Sequence, residues 1–113
     1  MAHQPPPRQP QSRQPQPRQP RPPAPPPLHL IRLAQGSPGE WVTLPGAAGR
    51  VIGLAAKLQR QSAHGWLLCL KGEAVIDLPG GDFVRLRVGE GFLLVTQWDA
   101  LATRDGTVLA LFG

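Results

Sequence analysis

Few side chains in this chain could carry out covalent or acid–base chemistry. The histidines are His3, His29 and His64, and the single cysteine, Cys69, lies inside the apolar run 66–70. A transition-metal site needs several clustered His, Cys or carboxylate ligands, and nucleophilic catalysis needs an activated Ser, Cys, Thr or Lys beside a base. The sequence has no such cluster, no GxSxG elbow and no phosphate-binding or dinucleotide glycine motif. It therefore predicts no metal and no cofactor, and leaves His64 as the one candidate base.

The single cysteine and the lengths of the apolar runs indicate in which cellular compartment the protein is expected. A lone Cys69 excludes an intramolecular disulfide, fits a reducing environment, and is expected to be a small buried hydrophobe. The longest unbroken apolar run has five residues and no secretory h-region is visible, so we expect no membrane-spanning helix. A cytoplasmic protein is the prediction.

Composition divides the chain into a tail, residues 1–27, and one domain, residues 28–113. The tail holds twelve of the 15 prolines and repeats Arg-Gln-Pro at 8–10, 13–15 and 18–20. It has too few apolar residues to offset chain entropy, so it is predicted to be disordered, with extended polyproline II character. It reads as a solubilising leader, as a ligand for a proline-binding partner, or as a weak binder of anionic surfaces.

Most of the formal net charge of +5 comes from this tail, because residues 28–113 hold eight basic and seven acidic side chains. No aromatic residue lies between the tail arginines, and the basic residues of the domain are scattered. Nucleic-acid binding is therefore unlikely.

Turn signals recur every 8 to 12 residues or so after the tail, which predicts an all-β domain. The run 83–88 alternates apolar and charged residues, as a half-exposed strand does. Asp105 and Gly106 predict a two-residue hairpin turn. The apolar runs 66–70 and 92–95 are expected to be covered on both sides, and a strand is preferred over a helix in 50–60 because β-branched residues adjoin Gly53.

The segment 53–104 contains a spaced set of glycines next to apolar strands. This spacing resembles the cupin family, small antiparallel β-barrels with the motifs G-x5-H-x-H-x(3,4)-E-x6-G and G-x5-P-x-G-x2-H-x3-N. Gly53 and Gly72 fall at the two ends of the first motif and Gly89 opens the second. Residues 73–88 would form the hairpin between them. The resemblance implies a small jelly-roll barrel, or double-stranded β-helix.

The positions at which cupins carry metal ligands hold other residues here. Gln59 and Gln61 stand at the two histidine positions of the first motif, Gly65 at its glutamate position, and Ala100 at the histidine position of the second motif. A glutamine oxygen holds iron, zinc or copper weakly. We therefore expect a barrel without a transition metal.

The mouth of such a barrel is predicted to present the candidate ligand-binding residues, which are Gln59, Gln61, His64, Trp98 and Arg104. Amide and guanidinium donors beside an indole wall suit a small polar or anionic ligand. The alternative is a filled interior, with the two glutamines bonded to backbone and the tryptophan at a dimer seam.

The leading hypothesis is a non-catalytic, cupin-like binding or regulatory module. We expect a homodimer, because an 86-residue domain buries only part of its surface and association adds stability. One alternative is a metal-independent isomerase or epimerase, with His64 as base and Arg104 polarising the substrate. Another is a scaffold whose proline-rich tail binds a partner.

Overall fold

A computed structural model describes residue 24 and residues 26–113, which form two antiparallel sheets and one short helix. The five-stranded sheet has, in spatial order, β1 (Val42–Thr43), β2 (Gly49–Gly53), β9 (Val108–Phe112), β4 (Gly65–Lys71) and β7 (Gly91–Leu94). The four-stranded sheet has β3 (Leu58–Gln61), β8 (Trp98–Ala102), β5 (Glu73–Asp77) and β6 (Phe83–Arg87). The predicted antiparallel β architecture is thus present. The tail prediction falls almost wholly on residues outside the described range.

The two sheets are packed layers and are not closed into a barrel. Among the described residues no ladder of hydrogen bonds joins a strand of one sheet to a strand of the other. One apolar core lies between the layers, with Ile52, Leu67 and Leu94 from the five-stranded sheet and Ile76 and Leu86 from the four-stranded sheet. The alternation of apolar and polar residues along the strands follows from this packing, because every second side chain points into the core.

The hairpin expected between the two glycine motifs is present. β5 and β6 pair in register from Glu73 opposite Arg87 to Asp77 opposite Phe83, joined by the turn Pro79–Gly81. Within the alternating run 83–88, Leu86 is buried as predicted. Val88 is exposed, because β6 ends one residue before it.

The hairpin predicted at Asp105 and Gly106 is wrong. Gly106 adopts a positive φ of 78°, as a tight turn requires. However, the strands on its two sides belong to different layers: β8 pairs with β3 and β5, while β9 pairs with β2 and β4. Local turn chemistry fixes a change of direction and does not choose the strand partner.

Two further local predictions need correction. The segment 50–60 is not one strand, because β2 ends at Gly53 and β3 begins at Leu58. Before the first strand lies a helix that the sequence reading missed, α1 (Leu30–Gln35). The side chain of His29 caps it by accepting a hydrogen bond from the Arg32 amide at 3.2 Å.

Helix α1 lies on the outer face of the five-stranded sheet. Its buried Ala34 packs with Val51, Val108 and Ala110 of β2 and β9. The helix has six residues and covers only this part of the face. Complete burial of 66–70 and 92–95 was therefore a wrong expectation: Trp66 is 52% exposed and Leu93 is 47% exposed.

Candidate functional site

Three side chains fill one end of the space between the sheets, and we call Trp41, Gln61 and Trp98 the tryptophan cluster. Trp98 begins β8 and is 1% exposed, and its Nε1 donates a hydrogen bond to the carbonyl oxygen of Ala63 at 2.9 Å. The ring of Trp41 meets it edge to face, with centroids 6.5 Å apart and planes at 82°. Such pairs add to the stabilisation from buried area.

A bulge in β3 places Gln61 in this cluster. Leu58 lies opposite Ala100 and Gln61 opposite Trp98, so β3 has one extra residue, and Arg60 adopts a positive φ of 56°. Gln61 Oε1 accepts a hydrogen bond from Trp41 Nε1 at 3.1 Å, and its Nε2 donates to the carbonyl oxygen of Gln59 at 3.0 Å. Both ends of the amide have partners, so it is a structural group in this position.

The outer side of the cluster is also covered. The guanidinium carbon of Arg50 lies 5.0 Å from the centroid of the Trp41 ring, within the range of a cation–π contact. A ligand entering this end of the sandwich would have to displace Trp41 and the amide of Gln61. The predicted alternative of a filled interior describes this end of the fold.

The five residues predicted to share a mouth do not come together. Gln61 and Trp98 face inward, whereas Gln59 and His64 are exposed. Arg104 lies near Thr107, whose hydroxyl donates to its carbonyl oxygen, and therefore at the far end of β4 from His64. Seven residues of strand separate these two ends by about 20 Å. His64 and Arg104 accordingly do not form the base and polarising pair of the isomerase alternative.

Trp98 has almost no surface to offer to a ligand or to a second copy of the chain. Its side chain is 1% exposed, and the residue only borders a cleft that is also lined by Asp77 and Asp99. Trp98 belongs to the core because it is the first residue of β8, and because Gln61, which lies opposite it on β3, points to the same side.

The positions matching the cupin metal ligands do not suit a metal ion. Gln59 is exposed, Gln61 is held by Trp41, Gly65 has no side chain, and Ala100 is a fully buried core residue. Within the part of the chain that the structure describes, no group of three or more His, Cys, Asp or Glu side chains could hold an ion. No step of chemistry through a metal can be derived from this arrangement.

Arg104 lines an open cleft of about 340 Å³ between residues 54–56 and 101–106. Asp105 lines the same cleft. A small polar or anionic ligand stays a prediction, and so does the homodimer.

A polar network ties β5, β6 and the segment after β8 together at Glu73. Its carboxylate accepts a hydrogen bond from the Thr103 hydroxyl at 2.7 Å and one from Arg87 Nε at 3.1 Å, and Arg85 Nε lies 3.7 Å away. The Thr103 hydrogen bond and the two guanidinium groups lower the pKa of Glu73 from its ordinary value. This carboxylate is a structural anion.

Cys69 is also structural. Its side chain is 1% exposed, and burial raises the pKa of the thiol above its ordinary value. The Sγ atom lies 3.4 Å from the carbonyl oxygen of Lys71, to which it donates.

A surface feature that the sequence did not predict is an apolar row on the outer face of the five-stranded sheet. Phe112, Trp66 and Leu93 lie directly opposite one another on three adjacent strands, β9, β4 and β7. All three are exposed, as is Val95 just beyond the end of β7. We call Phe112, Trp66 and Leu93 the apolar row.

The two aromatic rings of the apolar row lean in opposite directions. A Cβ at Gly49 would overlap the Phe112 ring, and a Cβ at Gly91 would lie 3.6 Å from Trp66 Cε3. Phe112 therefore lies over β2, and Trp66 extends towards β7. The signal in the sequence was Trp66, Leu68 and Leu70, three apolar residues on the face opposite to the core.

Comparisons with known proteins support the architecture only. No family model matches the chain, and no curated protein matches it. Among solved structures it is similar to protein NMB1881 from Neisseria meningitidis, with a TM-score of 0.57 and 12% sequence identity. The similarity covers 76% of this chain and 98% of that one. In the described residues no helix is long and apolar enough to cross a membrane.

Proposed function

We propose that this chain is a non-catalytic, cupin-like module of the binding or regulatory class. In support, the three glycines of the cupin-like spacing lie at strand ends and turns: Gly53 ends β2, Gly72 joins β4 to β5, and Gly89 lies between β6 and β7. Gly72 and Gly89 have positive φ angles of 79° and 86°. The hairpin between the motifs and two facing antiparallel sheets also support this reading.

We further propose that the module binds through the apolar row and not through the interior. The observation that carries this proposal is the contrast between the two sites. The interior end is filled by the tryptophan cluster with its polar groups paired. The apolar row leaves two aromatic rings and a leucine open on a flat sheet, and contiguous exposed apolar surface of this kind marks interaction sites.

The geometry of the row suits an extended peptide with apolar or proline side chains. Its two aromatic rings extend over different neighbouring strands, and proline-rich segments dock against exposed aromatic side chains because their conformation is already restricted. A small polar ligand would gain little from a surface formed by Phe112, Trp66 and Leu93.

A peptide titration followed by NMR tests the proposal. Adding a decaproline peptide to the labelled full-length protein should shift the Trp66 indole resonance and the Leu93 and Phe112 amides, and leave the Trp98 indole in place. The Trp66→Gln variant should lose the response. Leu101→Gln, at an exposed leucine on the outer face of the four-stranded sheet, should keep it.

Two results would count against this assignment. Shifts centred on Trp98, Gln61 and His64 would move the binding site to the mouth of the sandwich. An equal response from the Trp66→Gln variant and the wild type would remove the apolar row as the binding surface.

A further inference from the structure

We infer that the apolar row is covered by residues 1–23 of the chain's own proline-rich tail. This inference rests on the proposed function, because it names the ligand of the same surface. Three features of the molecule support it: where the tail joins the domain, the size of the exposed surface, and the composition of the tail.

The tail joins the domain on the face that carries the apolar row. Helix α1 begins at Leu30, and His29, Leu30 and Ile31 line a groove together with Leu70 of β4. Leu70 and Trp66 lie on the same face of β4, four residues apart, or about 13 Å. About five residues of extended polyproline II chain span that distance, so the segment that precedes α1 can reach the row without crossing an edge of the sheet.

The exposed surface is too small for a stable dimer and large enough for a short peptide. A fully buried aromatic side chain covers about 150–250 Å². With Trp66 52% and Phe112 38% exposed, the two rings offer about 200 Å². Leu93 and Val95 bring the total to a few hundred Å², whereas a standard interface buries about 800 Å² on each partner.

The composition of the tail fits this surface. Residues 1–23 contain nine prolines, four arginines and no acidic residue. Proline rings stack on aromatic side chains, and arginine adds a cation–π contact with Trp66.

Because the tail is covalently linked to the domain, weak contacts are sufficient for it to dock on the apolar row. A tethered segment has an effective concentration in the millimolar range, so an interaction that is weak between separate molecules is populated within one chain. Docking should therefore be independent of protein concentration.

Acrylamide quenching of Trp66 fluorescence in the full-length protein tests the inference. Trp66 is the exposed tryptophan of the three, and its signal is isolated by subtracting that of the Trp66→Phe variant. Replacing the nine prolines of residues 1–23 with serine in the full chain should increase the quenching of Trp66 about twofold. This is the change expected when the effective concentration of the tail is close to its dissociation constant, so that half of the molecules are docked. Replacing the six tail glutamines with serine is the matched control and should leave it unchanged.

The outcomes separate this inference from the proposed function. Equal quenching in the wild type and the proline-to-serine variant overturns the inference. Protection of Trp66 that increases with protein concentration also overturns it, because a second copy of the chain would then cover the apolar row. The decaproline titration is then repeated in the proline-to-serine variant. Binding there keeps the proposed function, and no response at Trp66 removes both.

Discussion

Trp98 and Trp66 are the same residue type in two different regions of one fold, and their surroundings differ in every physical respect. Trp98 is closed in by Trp41 and the core, and its indole N–H has a carbonyl partner. Trp66 lies on an outer sheet face, more than half exposed, between Phe112 and Leu93. An indole in the first setting stabilises the fold, and an indole in the second is available to a partner. The comparison can be tested residue by residue.

The largest effect is expected from emptying the interior position. Trp98→Ala removes a fully buried aromatic side chain and should lower the free energy of unfolding by about 3–5 kcal/mol. The matched change Trp66→Ala, at an exposed position, should cost about 1 kcal/mol or less. Urea denaturation of both variants measures the difference, and equal losses would show that the two tryptophans are not in different environments.

A smaller effect is expected at the amide that completes the cluster. Gln61→Ala leaves the Trp41 indole N–H without its acceptor in a partly buried place, which should cost about 1–3 kcal/mol. Gln59→Ala is the control, since that side chain is exposed and its contribution to the network is a backbone carbonyl. If the two substitutions destabilise the protein equally in urea, Gln61 does not close this end of the sandwich.

These two glutamines also show what the sequence could and could not predict. Alternation and turn spacing were sufficient for antiparallel strands, for the hairpin 73–88, and for the burial of Leu86. They were not sufficient for the direction of Gln59 relative to Gln61, because the bulge in β3 breaks the two-residue period that would place both side chains on one face. The site assignment depended on that direction.

The pairing of strands explains the other errors. The turn predicted at Asp105 and Gly106 is present, but the hairpin predicted there is wrong. Whether a strand pairs with the preceding strand or with strands of the other sheet depends on contacts between residues distant in sequence. The apolar row was overlooked for a related reason. An all-apolar strand such as β4 is compatible with burial on both faces, and only the length and position of α1 determine how much of the second face is covered.

The cation–π contact outside Trp41 should contribute less than the buried amide. Arg50→Met keeps most of the side-chain stem and removes the charge above the ring, so it should cost about 0.5–1 kcal/mol. Arg32→Met on the exposed side of α1 is the control and should be close to neutral. A thermal unfolding series that shows no difference between these variants would exclude Arg50 from the closure of this end.

The smallest effect on stability is expected on the outer face of the four-stranded sheet. This face carries polar groups, whereas the outer face of the five-stranded sheet carries the apolar row. The pKa of Glu73 is lowered in the folded protein, so the folded state binds fewer protons here than the unfolded chain does. The stabilisation from Glu73 is therefore complete above the unfolded pKa of about 4.3. It is lost as the pH falls through the lower pKa of the folded state.

In Glu73→Gln this pH-dependent part of the stability should be absent, so the urea midpoints of variant and wild type should converge between about pH 6 and about pH 3. The exposed Asp105→Asn should follow the wild type at every pH, and parallel curves for Glu73→Gln and wild type would show that the hydrogen bonds from Thr103 and Arg87 do not favour the charged form of this carboxylate.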